Sequence, residues 1–436
     1  MKTILEPQRE LPVIEEADVI VAGAGPAGVA AAICAARQGA KTVLVEQTGD
    51  VGGVATTGLM SHWTGNTQGG FYEELLRRTS EENGPIQGAS FNGDMRQVIN
   101  PESLKTKLLD LLEEAGVKLY LYTFSCTALT ENGRVTGLVT ESKAGRRAML
   151  CKVLIDATGD GDLAASAGAA YQKGRETDGK MQPMTLMFKV AGVDTDRAVF
   201  PGGFEDTFDV PKGDLQTLGR EHLPFPAGHV LLYRSTLPGV VTCNMTNCID
   251  VDGTDPADLT RAVRECRHQL EPIVEFLREY VPGFEHCWLI SSASVIGVRE
   301  TRHFEGLQTL TEDDIRTARV FDDWAVTKAS FNFDIHNIDG SGLDENGEQK
   351  KFTQKKGYTI PYGCLVPKEI DGLLLAGRNI SGTHKAHSNF RVMPICANIG
   401  QAAGTAAALC AAQDIQPRDL SVSLLQEKLG EQGVGL

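Results

Sequence analysis

The sequence predicts an α/β fold, a largely parallel sheet with a β-meander, interrupted by a β-rich α+β insertion. Three observations carry that reading. An apolar strand, a Gly-rich turn and an Ala-rich helix follow one another near the start. Short strands joined by tight turns come after the next helix. The far end of the chain then returns to the style of the beginning, with another apolar strand, another glycine and another helix of small residues.

Residues 18–22 read as a buried parallel strand, because an apolar run without alternation suits a strand covered on both faces. Residues 26–37 read as a helix that Gly39 stops, and 41–45 as the second strand. Between them lies Gly23-Ala-Gly-Pro-Ala-Gly28, and Glu46 stands eighteen positions beyond Gly28. This is the βαβ pattern that holds a dinucleotide. Gly23 allows the tight turn, Gly25 lets the backbone approach a pyrophosphate, and Gly28 lets helix and strand pack closely. The helix N-terminus offers N–H groups and its positive dipole end to phosphates, and Glu46 is placed to accept hydrogen bonds from ribose hydroxyls. By itself the fingerprint fits NAD and FAD alike.

Asn100-Pro101 opens a second helix, with Leu104, Leu108, Leu111, Leu112 and Ala115 at helical spacing until Gly116. Strands are expected over 117–122, 126–130, 135–142 and 148–155, parted by the turn sequences Glu131-Asn-Gly-Arg134 and Lys143-Ala-Gly-Arg146. The last runs into Asp156-Ala-Thr-Gly-Asp-Gly-Asp162. From about Tyr171 to Lys368 the chain turns to β-rich stretches, loops and one helical region, 256–280, whose period Pro272 interrupts. No second fingerprint occurs, so no separate nicotinamide-nucleotide domain is expected. Gly372-Leu-Leu-Leu-Ala-Gly377 is a buried strand ending in glycine, and 394–412 a helix of small residues. The expected domains are 1–170, 171–368 and 369–436, the first and last forming one unit.

At 436 residues and 42% hydrophobic content, the chain can bury at least one large core. Fifty-seven acids against 42 bases give a net charge of −15, spread along the chain. That balance argues against nucleic acid or an anionic membrane as partner. The stretch 22–36 is broken by glycines and a proline, so it is not read as a membrane span. Residues 1–17 carry acids and prolines in place of a basic segment and an apolar run, so no secretory signal is read and a cytoplasmic location is expected. Ten cysteines are scattered without a Cys-x-x-Cys pair, which removes redox-active disulfide reductases and leaves no metal site expected. Cys243 and Cys248 read as strand and loop thiols.

Three distant segments combine: the fingerprint with Glu46, the turn Asp156-Ala-Thr-Gly-Asp-Gly-Asp162, and Leu374-Leu-Ala-Gly-Arg-Asn-Ile-Ser381 leading to Arg391-Val-Met-Pro394 and Gly400-Gln-Ala-Ala-Gly404. Together they resemble the FAD-dependent oxidoreductase family within the glutathione-reductase-like superfamily. The similarity continues through Gly297-Val-Arg-Glu-Thr-Arg302, Phe333-Asp-Ile-His336 and Ile360-Pro-Tyr-Gly-Cys-Leu-Val-Pro367, so it covers nearly the whole chain. It implies a Rossmann-like FAD-binding domain with an inserted substrate domain. Gly23, Gly25, Pro26, Ala27 and Gly28 would hold the pyrophosphate and Glu46 the adenosine ribose. Gly52 and Gly53 would bring backbone close to the cofactor, and Ala157, Thr158 and Gly159 would close over the adenine side. Gly377 would pass under the ribityl chain. The wider superfamily usually has an acid after that glycine, whereas this chain has Arg378, which is placed to reach phosphate instead. The start of the final helix, Met393, Pro394 and Ile395, would point at the pyrimidine edge of the flavin, with Gly400, Ala403 and Gly404 packing it against the fingerprint strand.

A flavin takes hydride at N5, so a substrate C–H bond must be oriented and a proton moved. Of nine histidines, His384 and His387 fall in a stretch read as a polar loop beside the flavin, and His336 in the second domain. Arg299, Arg302 and Arg391 offer guanidinium forks suited to an anionic substrate or to reduced flavin, with an ion pair to a neighbouring acid as the plainer role of Arg302. The catalytic set expected is His384, Arg391, His336 and Arg299. Tyr358 and Tyr362 suit either a substrate oxygen or interdomain packing, and His62 and Trp63 either the flavin's other side or the core. The expected activity is hydride transfer between a small-molecule substrate and FAD, with an electron acceptor the sequence does not identify. An FAD-containing lyase or isomerase without net redox, and a flavin-binding protein without catalysis, are the alternatives.

Overall fold

The computed structural model describes residues 2–79, 97–200, 206–344, 352, 354 and 356–436. The chain begins with β1 (Val13–Ala22), α1 (Pro26–Arg37), β2 (Thr42–Val45), β3 (His62–Trp63), α2 (Gly70–Arg78) and β4 (Gln97–Val98). Then come α3 (Pro101–Glu114), β5 (Lys118–Tyr120), β6 (Phe124–Glu131), β7 (Arg134–Ser142), β8 (Gly145–Asp156) and α4 (Asp162–Ser166). A middle section holds β9 (Tyr171–Lys173), β10 (Phe188–Ala191), β11 (Asp209–Val210), β12 (Gly213–Asp214), α5 (Leu215–His222), β13 (Leu232–Arg234), β14 (Val241–Cys243), α6 (Pro256–Tyr280) and β15 (Trp288–Ser292). The rest is β16 (Arg302–Phe304), α7 (Glu312–Arg316), β17 (Trp324–Ala329), β18 (Tyr358–Pro361), β19 (Leu373–Leu375), α8 (His384–Phe390), α9 (Met393–Gln413) and α10 (Val422–Glu431).

The main sheet runs β5-β2-β1-β8-β7-β6, with β19 also on β8. β1 pairs in parallel with β2 and β8, and Val19 to Ala22 are fully buried, as an apolar run between two parallel neighbours requires. β8 changes partner along its length. Its first half is antiparallel to β7, from Ser142↔Gly145 to Gly137↔Leu150; its second half is parallel to β19, from Leu154↔Leu373 to Asp156↔Leu375. The β6–β7 hairpin turns through Asn132 and Gly133, both at positive φ, a turn whose twist matches its strands. The sequence places 117–122 in the meander, but β5 is instead a parallel neighbour of β2 at the sheet edge, because α3 carries the chain across as a βαβ crossover does. The meander proper is β6-β7-β8.

α9 lies mainly against α1, and it also reaches the fingerprint strand β1 and its neighbour β8. A Cβ on Gly400 would sit 2.0 Å from the Ala27 carbonyl oxygen, and one on Gly404 2.1 Å from that of Ala31. Only glycine lets two helix backbones approach so closely. Among the described residues α9 is the one helix long and apolar enough to cross a membrane, and 89% of its apolar window is buried inside the protein.

A second, antiparallel sheet runs β13-β14-β10-β15 and is backed by α5 and α6. Phe188, Leu232, Val241, Ile273, Leu277 and Phe284 form its own core. α6 is one continuous helix with Pro272 inside it, not the interrupted region read from the sequence. A proline removes a single ladder donor, and the buried face of Cys266, Leu270, Ile273 and Leu277 carries the helix across. Phe304, Leu310, Ile315, Val326, Ile360 and Leu365 return to the core that contains β1 and α9.

Candidate functional site

Each glycine of the turn after β1 meets a different constraint. Gly23 has φ +92°, and a Cβ there would lie 2.5 Å from the Ala157 carbonyl oxygen. A Cβ on Gly28 would lie 1.8 Å from the carbonyl oxygen of Gly23. At Gly25 a Cβ would meet nothing within 4 Å. Packing dictates the first and third glycines, whereas the second keeps a space clear. Gly53 borders that space, its own Cβ position 3.0 Å from the Gly25 Cα, and Gly52 precedes it on the 3-10 turn. Glu46 fastens the turn to the tip of β2. Its carboxylate accepts from the Ala24 N–H and from both the N–H and hydroxyl of Thr48, each at 2.8 Å. A carboxylate has about four acceptor positions, so one is left for a ligand hydroxyl.

The helix N-termini divide into two groups. α3, α5, α6, α7, α8 and α10 are capped by Asn100, Asp214, Asp255, Thr311, Thr383 and Ser421. α2 is capped from α9, with Gln401 accepting from Phe71 N–H (3.0 Å) and Asn398 from Tyr72 N–H (3.1 Å). α4 is capped by Asp156, which accepts from Ala164 N–H (2.8 Å), and by Thr158, which accepts from Asp162 N–H (3.0 Å). Only α1 and α9 start with no side-chain acceptor among the described residues, each with proline in the first turn and no acid there. An uncapped first turn presents free N–H donors and the positive end of the dipole.

Asp156 also accepts from the Thr158 N–H and hydroxyl, which locks the turn after β8. Gly159 lies under Arg378, whose Nη2 is 2.7 Å from where a Cβ would be. Arg378 donates to Asp160 (3.1 Å) and to the Arg299 carbonyl (3.4 Å), so its guanidinium ties β19 to this turn. Gly377 faces Ala27 of α1, 3.2 Å from its Cβ.

Beside the start of α9, Arg391 donates to the Asp334 carbonyl and carboxylate, both at 2.9 Å. The other carboxylate oxygen of Asp334 is 3.4 Å from His336 Nε2. Burial would push the Asp334 carboxyl up, but His336 and Arg391 hold it well below the ordinary range. Burial and the charge of Arg299 pull His336 down to about 4, so it is neutral at neutral pH. Arg299 and His336 both line a small polar recess with Asn244, Thr246, Asn247 and Ser341. Burial and the nearby Arg391 lower Arg299 to about 10, and its guanidinium donates to the Pro183 carbonyl at 2.5 Å.

Glu300, next to Arg299 in sequence, is fully buried and serves a second cluster. One of its oxygens meets His384 Nδ1 at 2.5 Å and His303 Nε2 at 2.8 Å, and the other accepts from Gln182 N–H. Burial disfavours charge on both Glu300 and His384, yet their contact lowers the carboxyl and raises the imidazole. His387 packs edge-on against His303, with ring centroids 4.7 Å apart, and burial pushes it well below the usual histidine range. Glu300, His303 and His387 each bring one ligand-type atom within 4.8 Å of the others; within the group His303 bonds to Glu300, while His387 meets the His303 ring edge-on.

A family model of FAD-dependent oxidoreductases matches residues 18–429. The chain belongs to the FAD-dependent oxidoreductase family. Its cofactor is FAD. No curated protein matches it. Among solved structures it is similar to a geranylgeranyl bacteriochlorophyll reductase-like protein from Thermoplasma acidophilum, at 15% identity and TM-score 0.49, over 96% of this chain and 83% of that one. It is also similar to CabE, an aromatic hydroxylase from angucycline biosynthesis, at 13% identity and TM-score 0.48, over 95% of this chain and 65% of that one. A third is the anhydrotetracycline hydroxylase OxyS from Streptomyces rimosus, at 13% identity and TM-score 0.48, over 96% and 66%.

Of the four catalytic residues expected in this FAD-dependent oxidoreductase, Arg391, His336 and Arg299 come together around Asp334. His384 does not join them. It lies in α8, 7% exposed, not in a polar loop, because Phe390 and Ala386 of the same turn are core residues and draw the segment inward. Arg302 pairs with Asp162 (2.8 Å). Tyr358 donates to Asn389 and Tyr362 to the Pro417 carbonyl, so both hydroxyls are spent inside the fold. Trp63 stacks on Tyr72, and His62 stacks on Tyr233 of the second sheet with centroids 3.9 Å apart. Sequence reasoning missed Asp334 and Glu300 as site residues, although both lie in segments that carry the family resemblance, 333–336 and 297–302. A buried acid within two positions of a histidine or arginine was the available signal.

Proposed function

We propose that this FAD-dependent oxidoreductase transfers hydride between a small organic substrate and FAD, with the adenosine half of the cofactor at α1 and its ring at the start of α9. The observation that carries the reading is the pair of uncapped first turns in a protein that caps its other described α-helices. Supporting it at α1 are the clear space at Gly25, the neighbouring Gly52 and Gly53, and the remaining acceptor position of Glu46. Ala157, Thr158 and Gly159 border the same end, and Gly377 and Arg378 line the way to Met393, Pro394 and Ile395. A place in the glutathione-reductase-like superfamily belongs to the same proposal.

Bound FAD supplies a two-electron centre that accepts or returns hydride. Residues 1–170 and 369–436 provide the cofactor side, and residues 171–368 the substrate side through Arg299, Asp334 and His336. His336 is the proton carrier in this reading. It is neutral, it lines the recess, and Asp334 fixes its orientation, as a base must be fixed to act. His384 is better suited to positioning, since Glu300 holds its proton.

The test is to load the purified protein with FAD and screen small molecules for bleaching of the flavin without oxygen. His336→Gln should keep the yellow colour and lose turnover by about a hundredfold or more. A protein that takes up no FAD sinks the cofactor placement. Unchanged turnover in His336→Gln removes its role, and turnover without any electron acceptor favours the lyase or isomerase reading.

A further inference from the structure

The recess that Arg299 and His336 line has an imbalance of charge around it. Two guanidinium groups, Arg299 and Arg391, lie close enough to depress one of them, and one carboxylate, Asp334, stands with them. Asp334 is taken by Arg391 and His336. The neighbouring acid, Glu300, faces His384 and His303, and Asp160 faces Arg378. Among the described residues no carboxylate is hydrogen-bonded to Arg299, whose guanidinium donates to a single carbonyl; it shares the charge of Asp334 with Arg391. Two cations held largely out of water against one carboxylate are costly unless a ligand supplies the second negative charge.

Resting on the redox reading above, we infer that Arg299, backed by Arg391, receives a carboxylate of the substrate in the recess that Arg299 and His336 line, so the substrate is a small organic acid. Three features agree with this. A guanidinium fork matches a carboxylate in two parallel hydrogen bonds. The uncapped start of α9, two residues beyond Arg391, adds positive potential next to that arginine. His336 is also tuned by the arrangement, since the charge of Arg299 is one of the causes that lower it. An anion on Arg299 offsets that repulsion and brings the imidazole nearer the range useful to a base, so proton acceptance improves when the acid is bound.

The experiment titrates the FAD-loaded protein with malate and succinate, using their diamides as uncharged controls. Flavin difference spectra and thermal shift are the readouts. Saturable perturbation by the acids and none by the diamides is expected, with affinity at least about tenfold weaker in Arg299→Gln. Arg197→Gln, an exposed arginine paired with Glu285, should match wild type. Diamides binding as well as the acids overturn the proposal. So does an Arg299→Gln protein that alters the reduced flavin spectrum while carboxylate affinity stays unchanged. Bleaching by an uncharged alcohol alone overturns the acid class and leaves the redox reading intact. Carboxylate stabilisation in a protein that takes up no FAD supports the anion site and sinks the redox reading.

Discussion

Two glycines three positions apart in the same turn make opposite predictions. Gly28→Ala puts a methyl group 1.8 Å from a backbone oxygen, so the fold itself should lose about 3 kcal/mol, read by denaturant unfolding of the apoprotein. Gly25→Ala fills empty space, so the apoprotein should unfold at the wild-type midpoint while FAD affinity falls. Equal apoprotein stability in both variants would contradict the packing described. The His384–Glu300 pair makes a pH prediction. His384 is raised above 6.5 and Glu300 lowered below 4.5. The histidine's contribution is full below its unfolded value and is lost as pH rises through the folded one; that of the glutamate is full above its unfolded value and is lost at acid. The Tm gap between wild type and His384→Gln should therefore be widest at about pH 5 to 6 and narrow on the alkaline side. The role of Gly28 was legible because a neighbour in sequence, Gly23, imposes it, whereas Gly23 is held to glycine by its positive φ and also by the distant Ala157 carbonyl. The pairing of Asp334 with Arg391 and of His384 with Glu300 was not legible, because the partners lie 57 and 84 positions apart.

α9 shows what an element is for beyond its own hydrogen bonds. Its composition of small residues was legible as a tightly packed helix, but the partner was not, since α1 and β1 are equally apolar neighbours in sequence. Its polar side chains are spent on another element: Asn398 and Gln401 serve the first turn of α2. Asn398→Ala should leave Tyr72 N–H unpaired and cost about 1 kcal/mol, in the range of a lost N-cap, measurable as a lower unfolding midpoint. The strand β5 teaches the same lesson. Its residues suit a meander or a parallel edge equally well, and the crossover through α3 chooses.

For the molecule as a whole, FAD should act as a structural ligand. At a hundredfold excess over its Kd it should stabilise by about 2.7 kcal/mol, seen as a rise in Tm that shrinks in Gly25→Ala. A Tm indifferent to FAD would mean that the cofactor leaves the folded state no more favoured than before. That both ends of the chain build one core was legible from the returning style of sequence, whereas the return of 304–370 to the same core was hidden by its loops.

The joining of β19 and α9 to β8 and α1 also sets an order of events during synthesis. A ribosome delivers β1, α1 and β8 long before it delivers the strand and helix that cover them. Until then the small-residue face of α1 stays bare and one edge of the second half of β8 is open, which is the kind of surface that sticks to other chains and engages chaperones. The sheet is completed late, and a nascent chain arrested before α9 lacks the helix that closes the site.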